Sequence, residues 1–151
     1  MGKICCFAGH SRLARVHDLP KRIITVLEAL ITEEQVTEFW VGNYGDFDRM
    51  AAATVRALKT TYPYIRLHLV IPYLTANINR HKEHYYEQYD HILLAEIPEN
   101  TPKPLWILKC NQYMIQQSQF LVCYVEFNWG GAAKTLAYAQ KQKHIQIYNL
   151  V

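Results

Sequence analysis

The chain has 151 residues, half of them hydrophobic, and a formal net charge of +3 when histidine is neutral. That length suits a single domain over residues 1–151 with one sizeable core. The positive excess is divided between an early group (Arg12, Arg15, Lys21, Arg22) and a late one (Lys134, Lys141, Lys143), which argues against a nucleic-acid polymer as partner.

No run approaches the ~18 apolar residues of a membrane span, and the first residues lack the roughly 7 to 15 apolar positions of a signal peptide. A cytoplasmic protein with no membrane partner is expected. Cys6 stands where an N-myristoylation signal wants Ser or Thr, so lipidation is not expected.

Ile4 to Ala8 is a short apolar run stopped by Gly9 and reads as a buried first strand. After Pro20, the residues Ile23, Ile24, Leu27, Leu30 and Ile31 recur at helical spacing and predict an amphipathic helix near 20–34. Phe39 to Val41 predicts a second strand ending at Gly42. Asp46 is placed to cap the next helix, with Met50, Ala53, Val55, Ala57 and Leu58 on its apolar face and Pro63 forcing its end. Ile65 to Ile71, stopped by Pro72, is the third strand. Tyr73 to Glu87 carries a weak helical signal and is expected to cover the sheet edge or the site.

His91 to Ala95 reads as a fourth strand, and Leu105 to Gln117 as a helix that follows a proline-rich loop. Phe120 to Val125 is a fifth strand, Gly131 to Gln142 a helix, and Ile145 to Tyr148 a closing strand. Cys5, Cys6, Cys110 and Cys123 form no Cys-x-x-Cys unit and are expected as buried free thiols rather than a zinc site. Short buried strands alternating with helices predict an α/β fold, a single Rossmann-like three-layer domain with a mainly parallel sheet and helices on both faces.

In such folds ligands sit beyond the carboxyl ends of the strands, where the strand order reverses. Three glycine-bearing loops fall there: Gly9-His10-Ser11, Gly42-Asn43-Tyr44-Gly45-Asp46 and Asn128-Trp129-Gly130-Gly131. The stretch "VEFNWGGAAKT" (Val125 to Thr135) leaves a strand, pairs two glycines and begins a helix. Free amides at a helix start point at an anion, and glycine lets the backbone approach it. The same glycines also suit a plain strand-to-helix turn. Lys134 and Thr135 lie in the first turn, where the lysine either faces a bound anion or is solvated. His10 is placed to hydrogen-bond a ligand or to tie its own loop.

Asp48 can accept two hydrogen bonds from a ribose diol. Together with Asp46 and Glu126 it is one of the acids near strand ends able to act as a general acid or base, or to serve structure alone. His81 and His84 permit metal ligation but fit a surface helix better, and no metal or other cofactor is expected.

Three stretches carry a family resemblance: "CCFAGHSRL" (Cys5 to Leu13), "VGNYGDFDRMAAATVRALKTTYPYIRLHLVIPY" (Val41 to Tyr73) and "KCNQYMIQQSQFLVCYVEFNWGGAAKTLAYAQKQ" (Lys109 to Gln142). In order and spacing they resemble the SLOG superfamily, above all its YpsA-like branch. The resemblance implies that Gly9, His10, Gly42, Gly45, Asp48, Asn111, Gly130 and Gly131 surround a nucleotide or nucleotide-derived ligand. It also favours base stacking by Trp129 and Tyr73 among the aromatic residues expected at the mouth, which include Tyr85, Tyr86 and Tyr89.

Ser11 and Cys110 stand where the family usually has arginines, and Ala132 where a threonine often follows the paired glycines. Leu136 and Ala137 occupy the place of the essential glutamate of the LOG phosphoribohydrolases, also SLOG members. The expected function is therefore binding of a nucleotide-derived signal, such as an ADP-ribose-type or cyclic nucleotide, by a sensor or sponge without turnover. The alternative is a nucleoside-phosphate N-glycosidase using Glu126 or Asp48; a DNA-associated role like that of DprA, a distant SLOG member, is a third class. Self-association through helices beside the late glycine loop is also expected, with Leu105, Trp106, Tyr113 and Met114 supplying the surface.

Overall fold

In the computed structural model, which describes residues 2–73 and 76–151, six strands form one sheet in the order β4-β3-β2-β1-β5-β6. The strands are β1 (Lys3–Gly9), β2 (Val36–Val41), β3 (Arg66–Ile71), β4 (His91–Leu94), β5 (Phe120–Tyr124) and β6 (Gln146–Asn149). Every adjacent pair is parallel. The helices are α1 (Leu19–Glu33), α2 (Asp46–Leu58), α3 (Ala76–Arg80), α4 (Lys82–Gln88), α5 (Trp106–Gln117) and α6 (Gly131–Gln140).

Both faces of the sheet are covered, which is why the strands read as unbroken apolar runs. Along β1, Cys5 and Phe7 enter one core while Cys6 and Ala8 enter the other; along β5, Phe120 and Val122 alternate with Leu121 and Cys123 in the same way. The first core contains Leu19, Ile23, Leu27 and Leu30 of α1 with Phe47, Ala51 and Val55 of α2. The second contains Cys110, Met114 and Ile115 of α5 with Ala139 of α6. All four cysteines are buried free thiols, and burial pushes Cys6, Cys110 and Cys123 up to about 12.

Three local expectations are corrected. Ala53 and Ala57 of α2 face solvent, while Phe47, Ala51, Ala52 and Thr54 are buried beside Val55. The residue preceding α2 is Gly45, and the Asp46 carboxylate accepts a hydrogen bond at 2.8 Å from the Leu13 amide, so it fastens a neighbouring loop instead of capping its own helix. Met114 is fully within the core and contributes nothing to an exposed face of α5.

α2 also stops at Leu58, ahead of Pro63. The weakly helical stretch after Tyr73 contains α3 and α4, whereas Leu74 and Thr75 lie outside the described residues. Arg56 of α2 donates to the Gln88 carbonyl at 2.8 Å and covers the Tyr89 ring, which holds the end of α4 against the domain.

Candidate functional site

β1 and β5 lie side by side, with Gly9 opposite Tyr124, yet the chain leaves them in opposite directions across the sheet. The two loops diverge there and leave a cleft of about 450 Å³ at the topological switch point.

One wall is built by close backbone approach. A Cβ on Gly9 would lie 2.3 Å from the ring of buried Phe47, and one on Gly45 would lie 2.3 Å from Cα of Ser11. The missing side chains let the loop after β1 settle on the start of α2, where the Asp46 amide donates to the Ser11 carbonyl at 2.8 Å. A Cβ on Gly42 would crowd Tyr44 at 2.8 Å. Tyr44 in turn donates its amide to Oδ2 of Asp48 at 3.0 Å. Asp48 is half-buried at the cleft, and burial pushes its carboxyl up to about 6, against the lowering effects of the Tyr44 amide and Arg49. The Tyr44 hydroxyl is buried without a hydrogen-bond partner among the described residues.

The opposite wall is the loop from Glu126 into α6. Gly130 has φ 91° and ψ 179°, a backbone conformation essentially confined to glycine. Gly131 has no positive φ. A Cβ at either position would meet nothing within 4 Å, so both glycines open onto free space. No side chain caps α6, and its first helical bond runs from the Lys134 amide to the Gly130 carbonyl. The helix start therefore presents its leading amides uncapped where Gly130, Gly131 and Ala132 line the cleft.

His10 joins the two walls, its Nε2 accepting a hydrogen bond from the Glu126 amide at 2.9 Å. Its ring lies 5.1 Å from that of Phe127, which stacks on Trp129 at 5.0 Å and 17°. Trp129 is 67% exposed at the rim.

Of the residues singled out in the sequence, the cleft brings together Gly9, His10, Ser11, Asp48, Asn111, Trp129, Gly130 and Gly131. Asn43 and Tyr73 line a neighbouring cavity of about 320 Å³ that shares Tyr44 and Ile107 with the cleft. Gly42, Gly45, Asn128 and Glu126 are not among the lining residues of either, and the first two serve the packing just described. Lys134 is exposed beside a small depression that also touches Asn111 and Gly131. Thr135 is buried, donates to the Gly131 carbonyl at 3.0 Å and accepts from the Asn111 amide at 3.3 Å, tying α6 to α5.

Arg12, Tyr44, Ile107, Phe127 and Ala132 also line the cleft, although the sequence did not single them out as ligand contacts. Arg12 bears on the missing family arginine: Ser11 stands in its place, and the next residue, Arg12, lines the cleft. Phe127 was detectable as a second large aromatic residue beside Trp129 in the loop that leads to the paired glycines. Among the described residues no group of three or more His, Cys, Asp or Glu side chains is suited to a metal ion, and no helix is long and apolar enough to cross a membrane.

A parallel sheet with glycine-opened loops at its switch point and an uncapped helix start is the architecture in which α/β proteins hold phosphate-bearing ligands. The chain belongs to the YspA SLOG family, whose model, YpsA, matches residues 6–150. No curated protein matches it.

Among solved structures, DNA processing protein A (DprA) from Streptococcus pneumoniae superposes with a TM-score of 0.64 at 15% identity, over 97% of this chain and 49% of that one. DNA processing protein A from Helicobacter pylori, described for its single-stranded DNA binding mode, gives 0.61 at 16% identity, over 93% of this chain and 61% of that one. The chain thus spans about half to three-fifths of the length of these two proteins, and the likeness is one of fold.

Proposed function

We propose that the protein binds a nucleotide or nucleotide-derived small molecule at the β1–β5 switch point and senses or sequesters it without turnover. The observation that carries this reading is the start of α6, where Gly130 and Gly131 face open space and leave an uncapped set of amides toward the cleft. A phosphate there gains backbone donors and the positive end of the helix dipole, with Arg12 lining the same cleft. Asp48 offers carboxylate oxygens to a ribose diol, and the exposed Trp129 ring offers a stacking face.

Isothermal titration against adenine nucleotides, ADP-ribose-type compounds and cyclic nucleotides tests the reading. Binding to at least one of them supports it, and absence of heat across the panel counts against it.

One observation favours a second reading, an N-glycosidase: Asp48 is a carboxyl held at about 6 within the cleft, in the range where a side chain exchanges protons near neutral pH. Leu136 and Ala137 oppose it, because they place no carboxylate where such hydrolases carry theirs. Release of free base from a nucleotide, lost in Asp48→Asn, would establish it.

The DNA binding named for the Helicobacter pylori protein motivates a fluorescence-anisotropy titration with a single-stranded oligonucleotide. Salt-sensitive binding there would displace the small-molecule reading. Self-association is proposed through α5 and the residue before it, where Ile107 and Leu105 are 47% and 42% exposed. Light scattering at micromolar concentration reports it directly.

A further inference from the structure

We propose that the ligand is dinucleotide-like, with two ring systems joined through phosphate, and that the cavity next to the switch-point cleft holds its second ring; this rests on the nucleotide reading above. The two spaces are neighbours, with Tyr44 and Ile107 lining both. The first holds every feature suited to phosphate and ribose: the glycine-opened amides of α6, Arg12 and Asp48. The second, about 320 Å³, has a different chemistry.

It lies beyond the carboxyl end of β3, where Ile71 and Pro72 lead into Tyr73, and Trp106 also lines it. The Tyr73 and Trp106 rings stand 4.3 Å apart at 59°, and the indole is fixed because its N–H donates to the Thr101 carbonyl at 2.9 Å. Tyr73 nevertheless remains 39% exposed, which is a large aromatic surface to leave uncovered at the edge of a cavity. Aromatic walls accept a flat heterocycle by stacking, a contact that tolerates many rings. Asn43 and Lys103 provide polar groups at the same cavity, suited to exocyclic oxygens of such a ring. A mononucleotide bound at α6 would leave this cavity unused, whereas a second ring linked through phosphate reaches it past the shared Tyr44 wall.

The test is calorimetry of the wild-type protein, Tyr73→Ala, Tyr73→Phe and Gly131→Ala with AMP as the one-ring probe. NAD, diadenosine diphosphate and a 3′,5′-linked dinucleotide serve as two-ring probes. At least one two-ring compound is expected to bind about tenfold or more tighter than AMP. Tyr73→Ala should remove that advantage and leave AMP binding as it was, Tyr73→Phe should restore it, and Gly131→Ala should weaken both classes.

If AMP and every two-ring probe bind alike, or if Tyr73→Ala weakens AMP equally, the second-ring assignment is overturned while the nucleotide reading stands. If no nucleotide of either class binds, the nucleotide reading itself has failed and this assignment with it.

Discussion

The Nε2 atom of His10 accepts the Glu126 amide proton at 2.9 Å, so the loop after β1 and the loop after β5 are joined across the cleft they enclose. The bond requires a neutral ring with Nε2 unprotonated, because an imidazolium has no acceptor. The sequence left open whether His10 meets a ligand or ties its own loop; the structure ties it to the opposite loop. Replacing His10 with Ala should remove this bond and the ring contact with Phe127, at a cost of about 1–2 kcal/mol in stability. Nucleotide affinity should fall as well, since the α6 side of the cleft loses its tether. Urea midpoints and titration calorimetry on the same variant check both effects, and unchanged affinity would show that the tether is dispensable for binding.

The paired glycines separate two roles. Gly131 has no positive φ and opens onto free space, so Gly131→Ala should fold with little change in stability while its methyl group obstructs a ligand. A tenfold or greater loss of nucleotide affinity, ~1.4 kcal/mol, is expected. Gly130, at φ 91° and ψ 179°, is different: Gly130→Ala should cost about 1–3 kcal/mol of stability through backbone strain. Thermal melts and affinities for the two variants distinguish obstruction from strain.

Asp48 is predicted to make the protein less stable as pH rises. Burial raises its folded pKa to about 6 from 3.8, so the folded state holds the proton through a window in which the unfolded chain has released it. Its contribution to stability is therefore most favourable below about pH 4 and declines up to about pH 6. Asp48→Asn, whose amide oxygen can still accept the Tyr44 N–H, should be more stable than the wild type at pH 7.5 by on the order of 1–3 kcal/mol, with the gap closing at pH 4. Nucleotide binding by the same variant should weaken, since a ribose diol loses its charged acceptor. Denaturant curves at the two pH values measure the gap.

Asp90 shows the opposite dependence. Burial raises its pKa, but hydrogen bonds from Lys59 Nζ, at 2.7 and 2.6 Å, and from the Leu67 amide, at 2.8 Å, outweigh burial and leave it lowered. The stabilisation is present above the ordinary carboxylate range and is lost as pH falls through the lowered value. Asp90→Ala should cost about 1–2 kcal/mol at neutral pH, and its deficit against the wild type should shrink in acid. Urea midpoints across that range provide the comparison.

The strands were legible because burial on both faces leaves an unbroken apolar run, and the helices because one apolar stripe repeats. The rotation of α2 was not, since Ala51, Ala52 and Ala53 are identical in hydrophobicity and only the seating of Phe47 under Gly9 decides which of them is buried. The glycine loops were visible as glycines, but their reasons were not. Gly9, Gly42 and Gly45 yield space to Phe47, Tyr44 and Ser11, and only Gly130 and Gly131 open outward. Tyr44 and Arg12 lie in or beside glycine loops the sequence marked, but Ile107 comes from a distant helix that meets them only when the strands are ordered, and no local pattern marks it.

The tight seating of the first loop on α2 divides the cleft into two walls with separate histories open to them. On that side a side chain at Gly9 or Gly45 collides with its neighbours, so sequence drift there is paid in folding. Across the cleft, Phe127, Asn128 and Trp129 are exposed and hold no part of either core. Of these, Phe127 and Trp129 line the cleft, so randomised libraries seeking small-molecule binding would vary those two positions with the two cores left untouched.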